Sequence, residues 1–210
     1  MSTPSLSGAD AILRWLAAGL DERSESYAGV IGELQGFLHA FAGADLDEQQ
    51  MGVFRDTLAG LREEAEDRRV PEVDRRFGRG RRQHTGVHAM MPEIETLELD
   101  DDHFLGTTMI GDFYLGVNSA AHGGVVALIF DEVLGRLSAG LERPPSRTAY
   151  LKTDFRAITP VNVSLTVRAR VEQIEGRKRF LVGEIWHGEV LCAEAHALFV
   201  DIDGQDLDAA

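Results

Sequence analysis

Apolar residues recur with two different periods along this chain, and the change falls near residue 93. Before it the period is helical. Ile12, Leu13, Trp15, Leu16 and Leu20 are spaced as on one helix face, with Ser7 or Asp10 available near the start as a cap. Val30, Ile31, Leu34, Phe37, Leu38 and Phe41 form a second stripe that stops near Gly43, and Leu46, Met51, Phe54, Leu58 and Leu61 a third, followed by the charged run REEAEDRR. These stripes read as core or interface packing and carry no catalytic constellation. The segment RRVPEVDRRFGRGRR then breaks the period: Pro71, Gly78 and Gly80 punctuate it and seven arginines crowd it. It reads as a solvated linker or arm, with an anion contact as the functional alternative, since the guanidinium fork suits phosphate.

From residue 93 the period becomes that of strands. In EIETLEL, Leu97 and Leu99 alternate with Thr96 and Glu98 as in a half-buried strand, with Ile94 on the opposite face. LGTTMIGDFYLG supplies a second strand. One strongly apolar helix follows, from residue 122 to about 140, ended by Gly140 and the prolines of ERPPS. RTAYLKTDFRAI and VSLTVRARVEQIEG are further strands, and the remainder to residue 203 reads as a hairpin turning around His187, Gly188 and Glu189. The order strand, strand, long helix, antiparallel strands predicts an α+β domain in which one helix is wrapped by one sheet. The expected organisation is a helical extension over 1–67, an Arg-rich linker or arm over 68–92, the α+β domain over 93–203 and an acidic tail over 204–210.

Composition narrows the function classes. A net charge of −14 argues against a nucleic-acid partner, because binding a phosphate backbone needs a surplus of Lys and Arg. No apolar run reaches the ~18 residues of a membrane span. Cys192 is the one cysteine, so no internal disulfide forms. A cytoplasmic protein with no membrane partner is expected. No metal is expected either, since there is no Cys cluster and no HExxH. His196 and Glu194 share a strand face without a third ligand, His103 sits in an acidic turn and His187 in the hairpin turn.

The chemistry concentrates in AHGGVVALIFDEVLG. Its apolar positions point nearly all round, so the helix is buried. Glu132 and Arg136 have the i, i+4 spacing of a supporting surface pair. Asp131 has no such partner, and its own stripe is made mostly of small residues: Gly124, Ala127, Leu128, Leu134, Gly135 and Ser138. A buried lone carboxylate is costly, so Asp131 needs a partner from elsewhere or a wet cleft. Gly123 and Gly124 open the helix, where backbone N–H groups lack acceptors and face the positive end of the dipole. Such groups can polarise a carbonyl or hold an oxyanion in acyl transfer. Gly124 and Asp131 are seven residues apart, roughly 10 Å along the axis. One chain therefore cannot apply both to a single carbonyl; two antiparallel helices of a symmetric dimer can, forming two composite sites.

This segment resembles the central-helix motif of hot-dog-fold acyl-CoA thioesterases of the phenylacetate-degradation type, in which HGG is followed by an acid nine residues after the histidine, here His122 and Asp131. TAYLKTDFRAITPV resembles the strand that follows, with Thr148 and Pro160 in the matching places. The resemblance covers about residues 93 to 203. It implies a hot-dog thioesterase domain that hydrolyses acyl-CoA, with no cofactor beyond the CoA of the substrate, as a homo-oligomer (a dimer or a dimer of dimers). It implies that Gly123, with Gly124, polarises the thioester carbonyl. Asp131 of the partner subunit would act as general base or nucleophile, and Thr148 would position the water or the carboxylate. His122 would shape the helix start or contact the thioester. One departure stands out: some relatives carry Asn or Gln six residues before the histidine, where this chain has Gly116, and Asn118 is the candidate substitute near the substrate. A hot-dog hydratase fits less well, because its D-x-N-x-x-H pattern meets Gly116 and one extra residue in GVNSAAH. A non-catalytic acyl-CoA-binding or scaffold protein is the alternative from another class.

Overall fold

The computed structural model describes residues 22–71, 74–75, 88–139 and 143–202. The expected helix over Ile12–Leu20, most of the Arg-rich linker and the acidic tail lie outside the described residues. Helix α1 spans Glu22–Ala42 and helix α2 Glu48–Glu66. Asp47 starts α2 with a capping box: its carboxylate accepts the Gln50 N–H at 2.8 Å, while the Gln50 side chain accepts the Asp47 N–H at 3.0 Å.

The α+β domain holds strands β1 (Ile94–Leu99) and β2 (His103–Met109), a 3₁₀ turn at Asp112–Tyr114, helix α3 (Gly123–Ala139), and strands β3 (Ser146–Phe155), β4 (Ser164–Glu175), β5 (Lys178–His187) and β6 (Val190–Asp201). All six strands form one antiparallel sheet in the order β1-β2-β4-β5-β6-β3. Two-residue turns join β4 to β5 and β5 to β6. Gly176 and Gly188 stand at their first positions with φ of +58°, a backbone conformation that side-chain-bearing residues resist.

Helix α3 lies across the sheet and packs against β2 to β6. Val125, Val126, Ile129, Phe130, Val133, Leu134 and Leu137 are buried against Leu165, Val167, Leu181, Ile185 and the alanines of β6. Each such side chain contributes on the order of 1.5–3 kcal/mol when fully removed from water. A glycine, Gly183, lets the helix approach: a Cβ there would lie 2.8 Å from the Phe130 ring. A long helix wrapped by an antiparallel sheet is the hot-dog arrangement that the resemblance implies.

The far end of α3 is tied down by Arg179 of β5. This arginine is 2% exposed and donates to the Ser138 carbonyl, to Ser138 Oγ and to Asp201. Burial lowers its pKa and the Asp201 carboxylate opposes that shift.

Two sequence expectations change in the structure. In β1 the core side chain is Ile94, while Leu97 and Leu99 are exposed, with a register shift between Thr96 and Glu98. The Glu132–Arg136 pair forms at 3.0 Å, but its side chains are only 13% and 10% exposed. It is a buried pair, with Arg136 also reaching Thr96 Oγ1 at 3.5 Å, and not the surface pair that its spacing suggested.

Candidate active site

The chain reaches α3 through a tightly bonded lead-in. Leu115 bridges Ala121, Ala120 bridges Pro160, and Gly116 N–H donates to the Ala120 carbonyl at 2.7 Å. The Ala121 N–H donates to the Thr159 carbonyl at 2.8 Å and the His122 N–H to the Tyr114 carbonyl at 2.7 Å. At the helix start the Gly124 N–H donates to His122 Nδ1 at 3.0 Å, and the Val125 N–H to the His122 carbonyl at 3.0 Å. His122 thus caps the helix with its ring. A Cβ at Gly124 would lie 3.0 Å from His122 Nδ1, so the glycine makes room for that cap.

These bonds leave one donor of the first turn free. Among the described residues, the Gly123 N–H has no acceptor. It lies at the positive end of the helix dipole, where a developing negative charge is stabilised. The Phe155 ring borders it: a Cβ on Gly123 would come within 3.1 Å of Phe155 Cζ, and Phe155 is 58% exposed. The structure thus separates the two glycines and joins His122 to Gly124, the two residues expected to touch substrate.

Asp131 lies on an exposed part of α3. Thr148 Oγ1 donates to its Oδ1 at 2.8 Å; the carboxylate is exposed and not buried as expected, so this bond orients it and no burial cost demands it. No other polar contact to Asp131 exists among the described residues, so its second oxygen is open to solvent. Strand β3 is irregular here, with a register shift between Thr148 and Tyr150. Bulges of this kind re-aim side chains near functional sites.

Strand β3 runs antiparallel to α3 and borders both features. Ser146 meets Ser138 at 2.8 Å, Thr148 meets Asp131, and Phe155 meets Gly123. Gly123 and Asp131 are eight residues apart, roughly 12 Å along the helix at 1.5 Å per residue. A single chain therefore presents a helix end with a free N–H and a carboxylate as two separated surface features. The described clefts are elsewhere. One of about 630 Å³ lies along β2, β4 and β5 and includes Arg168 and Glu184; another of about 640 Å³ lies between α1 and β1–β2. Neither is lined by Gly123 or Asp131.

Asn118 sits at the tip of the lead-in loop with φ of +55°, followed by Ser119 at +57°. Its side chain is exposed and makes no hydrogen bond among the described residues. His103 starts β2 beside Asp100, whose carboxylate accepts the N–H groups of Asp102 and His103; those bonds hold the Asp100 pKa below its ordinary value. On β6, Glu194 pairs with Arg156. Among the described residues no three His, Cys, Asp or Glu side chains cluster as a metal site would. Phe155 was not singled out from the sequence. Its signal was an aromatic residue on the strand that follows the helix, too common a feature to mark a site.

The chain is similar to known proteins. Residues 118–194 match the family described as Thioesterase superfamily. Over 95 residues, 44% of this chain, the sequence is 30% identical to Acyl-coenzyme A thioesterase THEM4 of Bos taurus; the chain spans 38% of the length of that curated relative. The crystal structure of a thioesterase superfamily protein, RHA08564, superposes with a TM-score of 0.69 at 24% identity, covering 83% of this chain and 94% of that one. A Streptococcus mutans UA159 protein, solved bound to acetyl CoA, superposes with a TM-score of 0.50 at 15% identity, covering 52% of this chain and 89% of that one. These likenesses show the hot-dog fold. The 83% cover exceeds what residues 88–202 can supply, so the first superposition takes in helical residues that precede the sheet.

Proposed function

We propose, from a chain whose residues 118–194 match the thioesterase superfamily on a hot-dog fold, that this protein hydrolyses acyl-CoA thioesters to a free acid and CoA. The acid nine residues after the histidine of HGG supports placing it, within this reading, in the phenylacetate-degradation type. One observation carries the reading: among the described residues the N–H of Gly123, at the start of α3, has no acceptor, while Asp131 on the same helix accepts from Thr148 and from no other group.

The active unit in this reading is a dimer formed across β3. That strand is an edge of the sheet and borders both halves of the site, so a two-fold axis beside it sets two α3 helices antiparallel. Gly123 of one protomer then faces Asp131 of the other. The Gly123 N–H holds the thioester oxygen. Asp131 takes a proton from a water whose oxygen attacks the carbonyl carbon, and the tetrahedral oxyanion forms against the Gly123 donor. Collapse breaks the carbon–sulfur bond, and the CoA thiolate leaves with the proton. Thr148 fixes one carboxylate oxygen so that the other meets the water.

Asp131→Asn keeps the shape and the Thr148 contact but cannot take a proton. Thiol release from acyl-CoA substrates of short, long and aromatic acyl groups should fall by about 10²-fold or more, with the dimer intact by light scattering. Unchanged turnover would overturn the reading. Gly116, where some relatives carry Asn or Gln, favours the second reading of a non-catalytic acyl-CoA binder. Tight binding with no thiol released by the wild-type chain would establish that one instead.

A further inference from the structure

The 3₁₀ turn at Asp112–Tyr114 has an unusual cap. Its N-cap residue is Gly111, which has no side chain to accept the orphan N–H groups of the turn. Tyr114 N–H donates to the Gly111 carbonyl and Leu115 N–H to the Asp112 carbonyl, both at 3.0 Å. The Phe113 N–H is served from another element: it donates to Nδ1 of His39 on α1 at 3.2 Å. The imidazole lies directly on the Gly111 backbone: an added Cβ would be 2.4 Å from His39 Cε1, so a side chain at 111 would displace the ring. Its ring also packs edge-on against Tyr114 at 5.6 Å and Phe113 at 6.4 Å between centroids.

What this turn holds is the start of α3. The Tyr114 carbonyl accepts the His122 N–H at 2.7 Å, and the next residue carries the unpaired N–H. The opposite side of the turn is fixed by Asn162, whose side chain donates to Asp112 at 2.6 Å and whose N–H donates to the Ile110 carbonyl at 2.8 Å. Helix α1 is itself docked on one narrow face. Ile31 is buried, Gln35 donates to the Met91 carbonyl at 2.7 Å, and His39 completes the i, i+4, i+8 row. Val30, Leu34 and Phe41 of α1 stay exposed and Phe37 packs on Phe54 of α2, so this row carries the polar contacts that α1 makes with the α+β domain.

From these contacts we infer that His39 is a positioning residue for the thioester site: it caps the turn that sets the Gly123 N–H, and so makes α1 part of the catalytic framework. The inference rests on the hydrolase reading for its catalytic consequence, though not for the cap itself. The His39 acceptor is connected to the oxyanion donor through Phe113, Tyr114 and His122, with no flexible side chain between them.

Three substitutions in the full-length chain test it. His39→Ala removes the acceptor and the ring, His39→Asn keeps an acceptor at nearly the Nδ1 position, and His39→Phe keeps the ring alone. In thiol-release assays H39A and H39F should lose kcat by about 10- to 100-fold with KM changed by less than about threefold, since small displacements of a reacting group cost this much. H39N should recover most of the loss. Hydrogen exchange read by mass spectrometry over residues 112–124 should be faster in H39A and H39F and restored in H39N. A wild-type kcat in H39A overturns the inference, as does an unchanged exchange rate over 112–124 in H39A. If the wild-type chain releases no thiol, the hydrolase reading fails on its own account, and the exchange rates still decide whether His39 holds the turn.

Discussion

Gly123→Pro is the cleanest single perturbation of the site. Gly123 is the first residue of α3, a position that proline suits because the helix needs no N–H there and its φ matches. The substitution therefore deletes one hydrogen-bond donor while keeping the helix. The structure shows why nothing replaces it: the neighbouring N–H groups of His122, Gly124 and Val125 are already bonded to Tyr114 O, His122 Nδ1 and His122 O. Loss of one oxyanion donor costs about 10²- to 10³-fold in kcat, or ~2.7–4 kcal/mol. Proline also adds a Cβ toward Phe155, 3.1 Å from Cζ, so Gly123→Ala is the proper reference. That variant adds the same carbon and retains the N–H. Phe155 is largely exposed and its ring can move aside. In a thiol-release assay G123P should therefore fall about 10²-fold or more below G123A, with both variants melting near the wild-type temperature. If the folded G123P chain works within about threefold of G123A, the helix-end donor is not what activates the carbonyl.

Other consequences follow from the same contacts. Thr148→Val removes the hydrogen bond to Asp131 without changing shape; at ~1.5 kcal/mol for a bond to a carboxylate, kcat should drop about tenfold, and a rate within twofold of wild type would deny Thr148 its orienting role. Gly183→Ala forces a Cβ to 2.8 Å from the buried Phe130 ring and 3.5 Å from Leu134, so urea melts should show ~1–3 kcal/mol of destabilisation; an unchanged midpoint would mean that the α3–β5 contact yields easily. Cys192 is fully buried and burial raises its thiol pKa, so it stays a protonated thiol at neutral pH. A disulfide reagent should label it only after denaturation, and stoichiometric labelling of the native protein would contradict that placement.

Much of the domain could be read from periodicity because its strands and helix answer to the same core. Helix α3 begins at Gly123, one residue after its expected start, and the hairpin turns at Gly188 between His187 and Val190. The sequence left Asp131 either a partner from another element or a wet cleft; it is exposed and accepts from Thr148, a residue that only the family resemblance named, since it is distant in sequence. Periodicity failed where polar atoms decide the packing. Gln35 and His39 anchor α1 through backbone carbonyls and an N–H, yet an apolar stripe passes over them in favour of Leu34 and Phe41, which are exposed. It also misjudged Glu132–Arg136, because spacing along one helix cannot reveal how far the rest of the fold shields the pair from solvent. The distinction between Gly123 and Gly124 was equally invisible: it depends on the His122 ring turning back to accept one N–H and leave the other.

The central claim is that each active site is assembled from the Gly123 end of one protomer and the Asp131 carboxylate of another. Co-expressing G123P with D131N, each with a separate affinity tag, tests it most directly. Each parent alone should be nearly inactive. Random pairing makes about half of the dimers mixed, and each mixed dimer carries one intact site of two, so about a quarter of wild-type activity should return. That activity should copurify through both tags. If the doubly tagged mixed dimer is as inactive as its parents, the two groups do not meet across subunits and the composite site is wrong.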